Sequence, residues 1–145
     1  MRGSLFTATS EYACVAMLEL AARYSQGLPV PLKTIAEGNG IDKQYLVQVL
    51  LQLKAAGLVT STRGASGGYL LARPPEQITL ADVLGVIEPD RTAVTRHTET
   101  ASPLTRTVHS LWNEIALAQR RVLQSTSLSD LLRRAEGQYE VVYQI

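Results

Sequence analysis

Residues 62–72 read TRGASGGYLLA, and within them Gly64-Ala65-Ser66-Gly67-Gly68 satisfies the spacing G-x-S-x-G. In a serine hydrolase that spacing places a nucleophilic serine on a tight turn between a strand and a helix. Here Tyr69-Leu70-Leu71-Ala72 follows, and then Arg73-Pro74-Pro75, a strand-like run and a stop. The triad also needs a histidine downstream; His97 lies in a polar stretch and His109 on a helical seam. A phosphate-binding loop fails as well, because no Lys-Ser/Thr pair follows the glycines. Cys14 is the single cysteine and sits in an apolar helical run, where a thiol usually behaves as a small hydrophobe rather than a redox sensor. His97, Glu99 and His109 match no familiar metal-ligand spacing. Neither catalysis, metal nor cofactor is expected from these groups.

The glycine-rich stretch fits better as the tip of a β-hairpin. Leu58 to Thr62 and Tyr69 to Ala72 are short strand-like runs on either side of it. Gly67 and Gly68 are expected to supply the positive φ angles of a tight tip. Arg63 stands at its base.

The elements before the hairpin are helical. Residues 10–24 place Tyr12, Ala16, Leu20 and Tyr24 on one face, with Ser10 as the expected N-cap. Cys14, Val15 and Leu18 occupy the other face, so this helix is expected to pack on more than one side. Gly27 to Pro31 breaks it. A short helix over Leu32 to Glu37, a turn at Gly38-Asn39-Gly40, and a helix capped by Asp42 and running to about Ala56 form a helix-turn-helix pattern. Gly57 is its expected left-handed terminator. A hairpin directly after such a motif is a wing.

Beyond the wing, Thr79 with Asp82 forms a capping box for another helix. Residues 89–103 are polar and read as a long loop. From there Leu104, Val108, Leu111, Ile115, Ala118 and Val122 recur at alternating spacings of four and three, a heptad seam that needs a partner helix. His109 and Trp112 lie beside it as expected interface residues. Ser127 with Asp130 opens a last helix to about Ala135, and residues 139–145 read equally as a strand or a tail. The division is 1–88 as a winged helix-turn-helix head, 89–103 as a loop, and 104–145 as a dimerisation helix with a C-terminal segment. The fold class is mainly α with a small β-hairpin wing.

The chain of 145 residues is 46% apolar, enough for one compact core. No apolar run approaches the roughly 20 residues of a membrane span, and no secretory leader is legible. With a single cysteine, this points to a soluble cytoplasmic protein and no membrane partner. The net charge of +1 is uneven: +3 through Pro75 and −2 after it. A basic first half is the sign expected for a polyanion partner, although three charges is a small excess.

Tyr12-Ala13, Pro31-Leu32, Ile41 to Leu53, Gly57-Leu58-Val59, Arg63-Gly-x-x-Gly-Gly-Tyr69-Leu-Leu, the run Thr79 to Leu84 and Leu111-Trp112 together resemble the Rrf-two family of winged-helix transcription regulators, over about residues 5–135. The resemblance implies a homodimer with cross-paired C-terminal helices, and a third helix entering the major groove of double-stranded DNA. A symmetric dimer would read a pseudo-palindromic operator, and a dimeric DNA-binding repressor is the leading expectation. Family members that bind an iron–sulfur cluster carry three cysteines in the loop before the long helix. Residues 89–103 contain none, and Arg106 stands near where a third would fall, so the chain resembles the cluster-free members. Glu11 stands near a position that is basic in some relatives, which weakens one expected phosphate contact.

Placed on a helical wheel, Leu46, Val49, Leu50 and Leu53 turn toward the core. Gln44, Val47, Gln48 and Leu51 turn away, with Lys43 in the first turn. Glutamine bonds adenine in a bidentate manner and valine touches a thymine methyl, so Gln44 and Gln48 are the expected base readers, with Val47 beside them. Ser10, Tyr12, Lys33, Lys43, Tyr45 and Ser66 are the expected phosphate contacts, Tyr45 reading equally as partly core. Arg63 is the expected minor-groove residue. The dimer seam is expected at Leu104, Val108, Leu111, Trp112, Ile115 and Val122. An effector or partner protein is left open, and the alternative reading is a winged-helix protein-interaction module without DNA binding.

Overall fold

In the computed structural model, residues 6–89 and 99–144 are described, with side chains through residue 137. Helix α1 spans Ala8–Ala22, and its N-cap is Thr7, whose side chain accepts from the Ser10 amide at 3.2 Å. The expected cap, Ser10, therefore lies inside the first turn. Three residues of added helix move its hydroxyl from the end of the element onto the buried face.

After a 3-10 turn at Tyr24–Gln26 come α2 (Leu32–Asn39) and α3 (Lys43–Ala55). Helix α2 runs two residues past the expected end. Asn39 stays helical because its amide donates to the Ile35 carbonyl at 2.9 Å and to Glu19 at 3.2 Å, and the left-handed residue is Gly40. Asp42 caps α3 as expected, accepting from the Tyr45 amide at 3.1 Å. Gly57 closes it with φ +81.

The hairpin consists of β1 (Val59–Thr62) and β2 (Gly68–Leu71), paired antiparallel with Val59 opposite Leu71 and Thr62 opposite Gly68. Val30 adds a third rung: its N–H donates to the Tyr69 carbonyl and its carbonyl accepts from Tyr69 N–H, both at 2.9 Å. A 3-10 turn at Pro75–Gln77 leads to α4 (Leu80–Ile87), which carries the expected Thr79–Asp82 capping box. Helix α5 spans Pro103–Ser125, with Ser102 as its N-cap. The last helix, α6, spans Leu128–Gln144 and so resolves the terminal segment as helix rather than strand up to residue 144.

One core organises the head. Ala13, Met17 and Leu20 of α1, Ile35 of α2, Leu46, Leu50 and Leu53 of α3, Leu58, Val59 and Leu71 of the wing base, and Val83 of α4 are all buried in it. Leu128 joins the same cluster at zero exposure. Two backbone bonds of 2.9 Å, Leu80 N–H to the Thr126 carbonyl and Leu128 N–H to the Ile78 carbonyl, clip the junction of α5 and α6 onto the start of α4. Helix α5 itself buries only Leu123.

Candidate nucleic-acid interface

Helix α3 buries Leu46, Val49, Leu50 and Leu53 and thereby fixes which side meets solvent. Lys43, Gln44 and Gln48 are exposed on that side, while Val47 is half-buried at its edge. Lys43 lies 3.8 Å from Glu37, an exposed pair of little energetic weight.

The wing stands beside α3. Arg63 and Ser66 are exposed at its tip, and Lys33 is exposed on the first turn of α2. Among the described residues no acid lies within ion-pair distance of Lys33, Lys54 or Arg63, so these cations are available to an anion. The glycines differ from expectation. Gly64 takes the left-handed conformation, with φ +104, whereas Gly67 does not need it. Gly67 is required because a Cβ there would meet the Thr62 carbonyl oxygen at 2.1 Å. At Gly68 a Cβ would meet the Val30 carbonyl at 2.3 Å. Space alone selects Gly67, whereas Gly68, with φ +158, has the expected positive φ and a blocked Cβ position together. Ser66 lies in a turn between two strands, so the nucleophile-elbow geometry is absent.

Tyr12 and Tyr45 are brought together at the junction of α1 and α3. Their rings meet edge to face, with centroids 5.5 Å apart and planes at 88°. The Tyr45 hydroxyl is hydrogen-bonded to the hydroxyl of Thr9. Tyr45 remains 41% exposed, so it is a surface residue steadied by α1 rather than part of the core. Sequence reasoning missed Thr9, because a pairing across 36 residues leaves no local signal.

Ser10 must be corrected. It is 1% exposed and its hydroxyl donates to the Glu88 carboxylate, tying α1 to the end of α4. A buried, occupied hydroxyl is not a phosphate contact. Cys14 is partly buried, and desolvation pushes its thiol up to about 11, so it stays protonated and weakly nucleophilic near neutral pH.

Every large apolar residue of the seam faces solvent. Leu104, Val108, Leu111, Trp112, Ile115 and Val122 are 45–80% exposed, and Leu117 adds to them at 40%. Trp112 also stacks on the half-buried His109, with centroids 5.4 Å apart. His97 lies outside the described residues.

A family model described as "Rrf2: Iron-dependent Transcriptional regulator" matches residues 6–134. The chain belongs to the Rrf2 family. The HTH-type transcriptional regulator CymR of Bacillus subtilis is 40% identical over 129 residues, covering 89% of this chain and 90% of that protein. The regulator IscR of Aliivibrio salmonicida is 36% identical over 128 residues, covering 87% and 76%. Among solved structures, CymR (YrzC), the global cysteine regulator of B. subtilis, superposes with a TM-score of 0.76 at 37% identity, covering 87% of this chain and 94% of that one. IscR of T. potens superposes with a TM-score of 0.78 at 34% identity, covering 94% and 91%. This Rrf2 chain is a winged helix-turn-helix protein of the DNA-binding transcription-regulator class.

The iron in the family description does not suit the donors of this Rrf2 chain. Iron–sulfur clusters are held by thiolates, and the chain has one cysteine, whose burial favours the thiol. Among the described residues no three His, Cys, Asp or Glu side chains gather into a metal-binding group. No described helix is long and apolar enough to cross a membrane.

Proposed function

We propose that this Rrf2 protein is a cytoplasmic, sequence-specific repressor that binds a pseudo-palindromic operator as a homodimer and holds no iron–sulfur cluster. The observation that carries the DNA reading is the outward face of α3, where Gln44 and Gln48 are exposed. The wing beside it offers Arg63 with no acid within ion-pair distance among the described residues. The glutamines supply paired donors and acceptors for base edges, and the arginine suits a narrow minor groove. Lys33, Lys43, Tyr12, Tyr45 and Ser66 ring this face as phosphate partners, and Val47 at its edge reaches a thymine methyl.

The exposed seam of α5 supports the dimer. A contiguous apolar stripe on a helix of 23 residues is the mark of an unmet partner, and a second copy presents the complementary heptads. Two-fold pairing sets the two α3 helices about one helical turn of DNA, ~34 Å, or a multiple of it apart. The missing thiolates support cluster-free regulation, in which an effector or a partner protein carries the signal.

The modest charge of the head favours one other reading, a winged-helix module that binds protein instead of DNA. Titration of labelled genomic fragments against salt separates the two. A DNA regulator loses affinity by about 0.9 log unit per tenfold increase in salt for each phosphate it neutralises. Binding that is absent, or flat with salt, overturns the DNA reading.

A further inference from the structure

Leu51 is 52% exposed on the C-terminal half of α3, and the base-reading face does not use it. It lines an open groove of about 510 Å³ together with Pro31, Leu32 and the wing residues Ser61 to Gly64. One turn further along α3, Lys54 donates from Nζ to Ser61 Oγ at 2.7 Å, joining the end of the helix to strand β1. Lys54 is exposed and, among the described residues, has no acid within ion-pair distance. An ammonium carries three donors, so the bond to Ser61 leaves two.

We propose that this groove is the track of one sugar–phosphate strand, with Lys54 as its phosphate-binding residue and Leu51 packed against the deoxyribose edge. The proposal rests on the DNA-binding reading above. A head that reads the major groove with α3 and the adjacent minor groove with its wing must straddle the strand between them. That strand presents an anionic rim and an apolar sugar face. The groove offers the complement: Arg63 on its margin, Lys54 bonded to its lining residue Ser61, neither with an acid within ion-pair distance among the described residues, and apolar side chains at Leu51 and Leu32. Ser61 holds the Lys54 side chain in place before DNA arrives, which lessens the entropy lost on binding. The same bond couples the wing to α3, so both grooves are engaged by one rigid unit.

The test is fluorescence anisotropy of the full chain with a mixed-sequence DNA duplex across a salt series. Lys54→Gln is expected to lower the slope of log K against log salt by about 0.9 per head, about 1.8 for the homodimer, and to weaken all duplex sequences alike. Lys54→Arg should keep the slope. Ser61→Ala should reduce affinity with the slope unchanged, because the cation remains. Leu51→Ala should also weaken binding without changing the slope, and thermal melts of each variant establish that it is folded. If Lys54→Gln keeps the wild-type slope while Arg63→Ala lowers it, the track is wrong and the DNA reading stands. If Leu51→Ala has no effect on DNA, the groove floor does not meet the strand and the proposal fails. If the unmodified chain binds no duplex, the DNA reading itself fails and this inference falls with it.

Discussion

Arg63 and Gln48 are proposed to divide the work of recognition in different ways. Arg63 is a cation on the wing with no acid within ion-pair distance among the described residues, and its proposed partner, the minor groove, is a feature that every duplex shares. Arg63→Ala is therefore expected to weaken specific and random DNA by the same factor. Gln48 faces outward from α3, where its amide is the proposed reader of a base edge. Gln48→Ala should alter base preference, costing about 1–3 kcal/mol at one operator position while sparing random DNA. Competition binding against a selected and a scrambled duplex checks both. Unchanged profiles for the pair would remove α3 and the wing as the reading surface. Tyr45 was ambiguous in the sequence because the wheel puts it between the buried and exposed arcs. Its neighbours settle its place: Thr9 and Tyr12 hold it at the surface. Ser10 was misread for a related reason. A serine before an apolar run looks like a cap, but Thr7, three residues earlier, takes that role and turns Ser10 inward.

At the scale of elements, most of the head was legible. The Asp42 cap, the buried leucines of α3, the Thr79–Asp82 box and the hairpin each follow from local residue types and spacing. The length of α2 and the Val30 rung did not, because both depend on groups distant in sequence. The wing glycines illustrate the limit: the positive φ of Gly68 was legible, but the reason for Gly67, a Cβ blocked by the Thr62 carbonyl, was not. Gly67→Ala forces a Cβ against the Thr62 carbonyl at the hairpin tip, outside the core. It is expected to cut DNA affinity while leaving the melting temperature nearly unchanged, as read by anisotropy and circular dichroism. Helix α6 yields a pH prediction. The Asp130 carboxylate accepts from the Ser127 amide at 2.9 Å, and this bond, with the Ser127 hydroxyl and nearby Arg133 and Arg134, holds its pKa below the ordinary value. The folded state then binds that proton less readily than the unfolded state. The stabilisation is full above the ordinary aspartate value of about 3.9 and is lost as pH falls through the lower folded value. Asp130→Asn should flatten the acid limb of stability against pH in denaturant melts.

For the whole molecule, the seam on α5 sets the expected assembly. Ile115 lies mid-helix and is 55% exposed in the single chain. Ile115→Asp is expected to place a charge in the paired interface and yield monomers by sedimentation. Losing the linked second half-site should reduce operator affinity roughly 100-fold or more. The heptad spacing made this face readable from sequence, since a 3.5-residue period is a property of one continuous helix. The return of α6 to the head was not readable. Leu128 looks like any apolar residue in a short helix, and its burial depends on a turn that brings it back beside Ile78.

That return has a consequence for the operator. The clip between residues 126–128 and 78–80 is made of main-chain groups, so it does not depend on which side chains stand there, proline at the donors Leu80 and Leu128 excepted. In the proposed homodimer each arm is thereby tied to its own head, and the gap between the two reading helices is expected to be a fixed gauge. Inserting a single base pair between half-sites, about 3.4 Å of rise with roughly a tenth of a turn of rotation, would carry the second site out of register with a frame that has no slack to follow it.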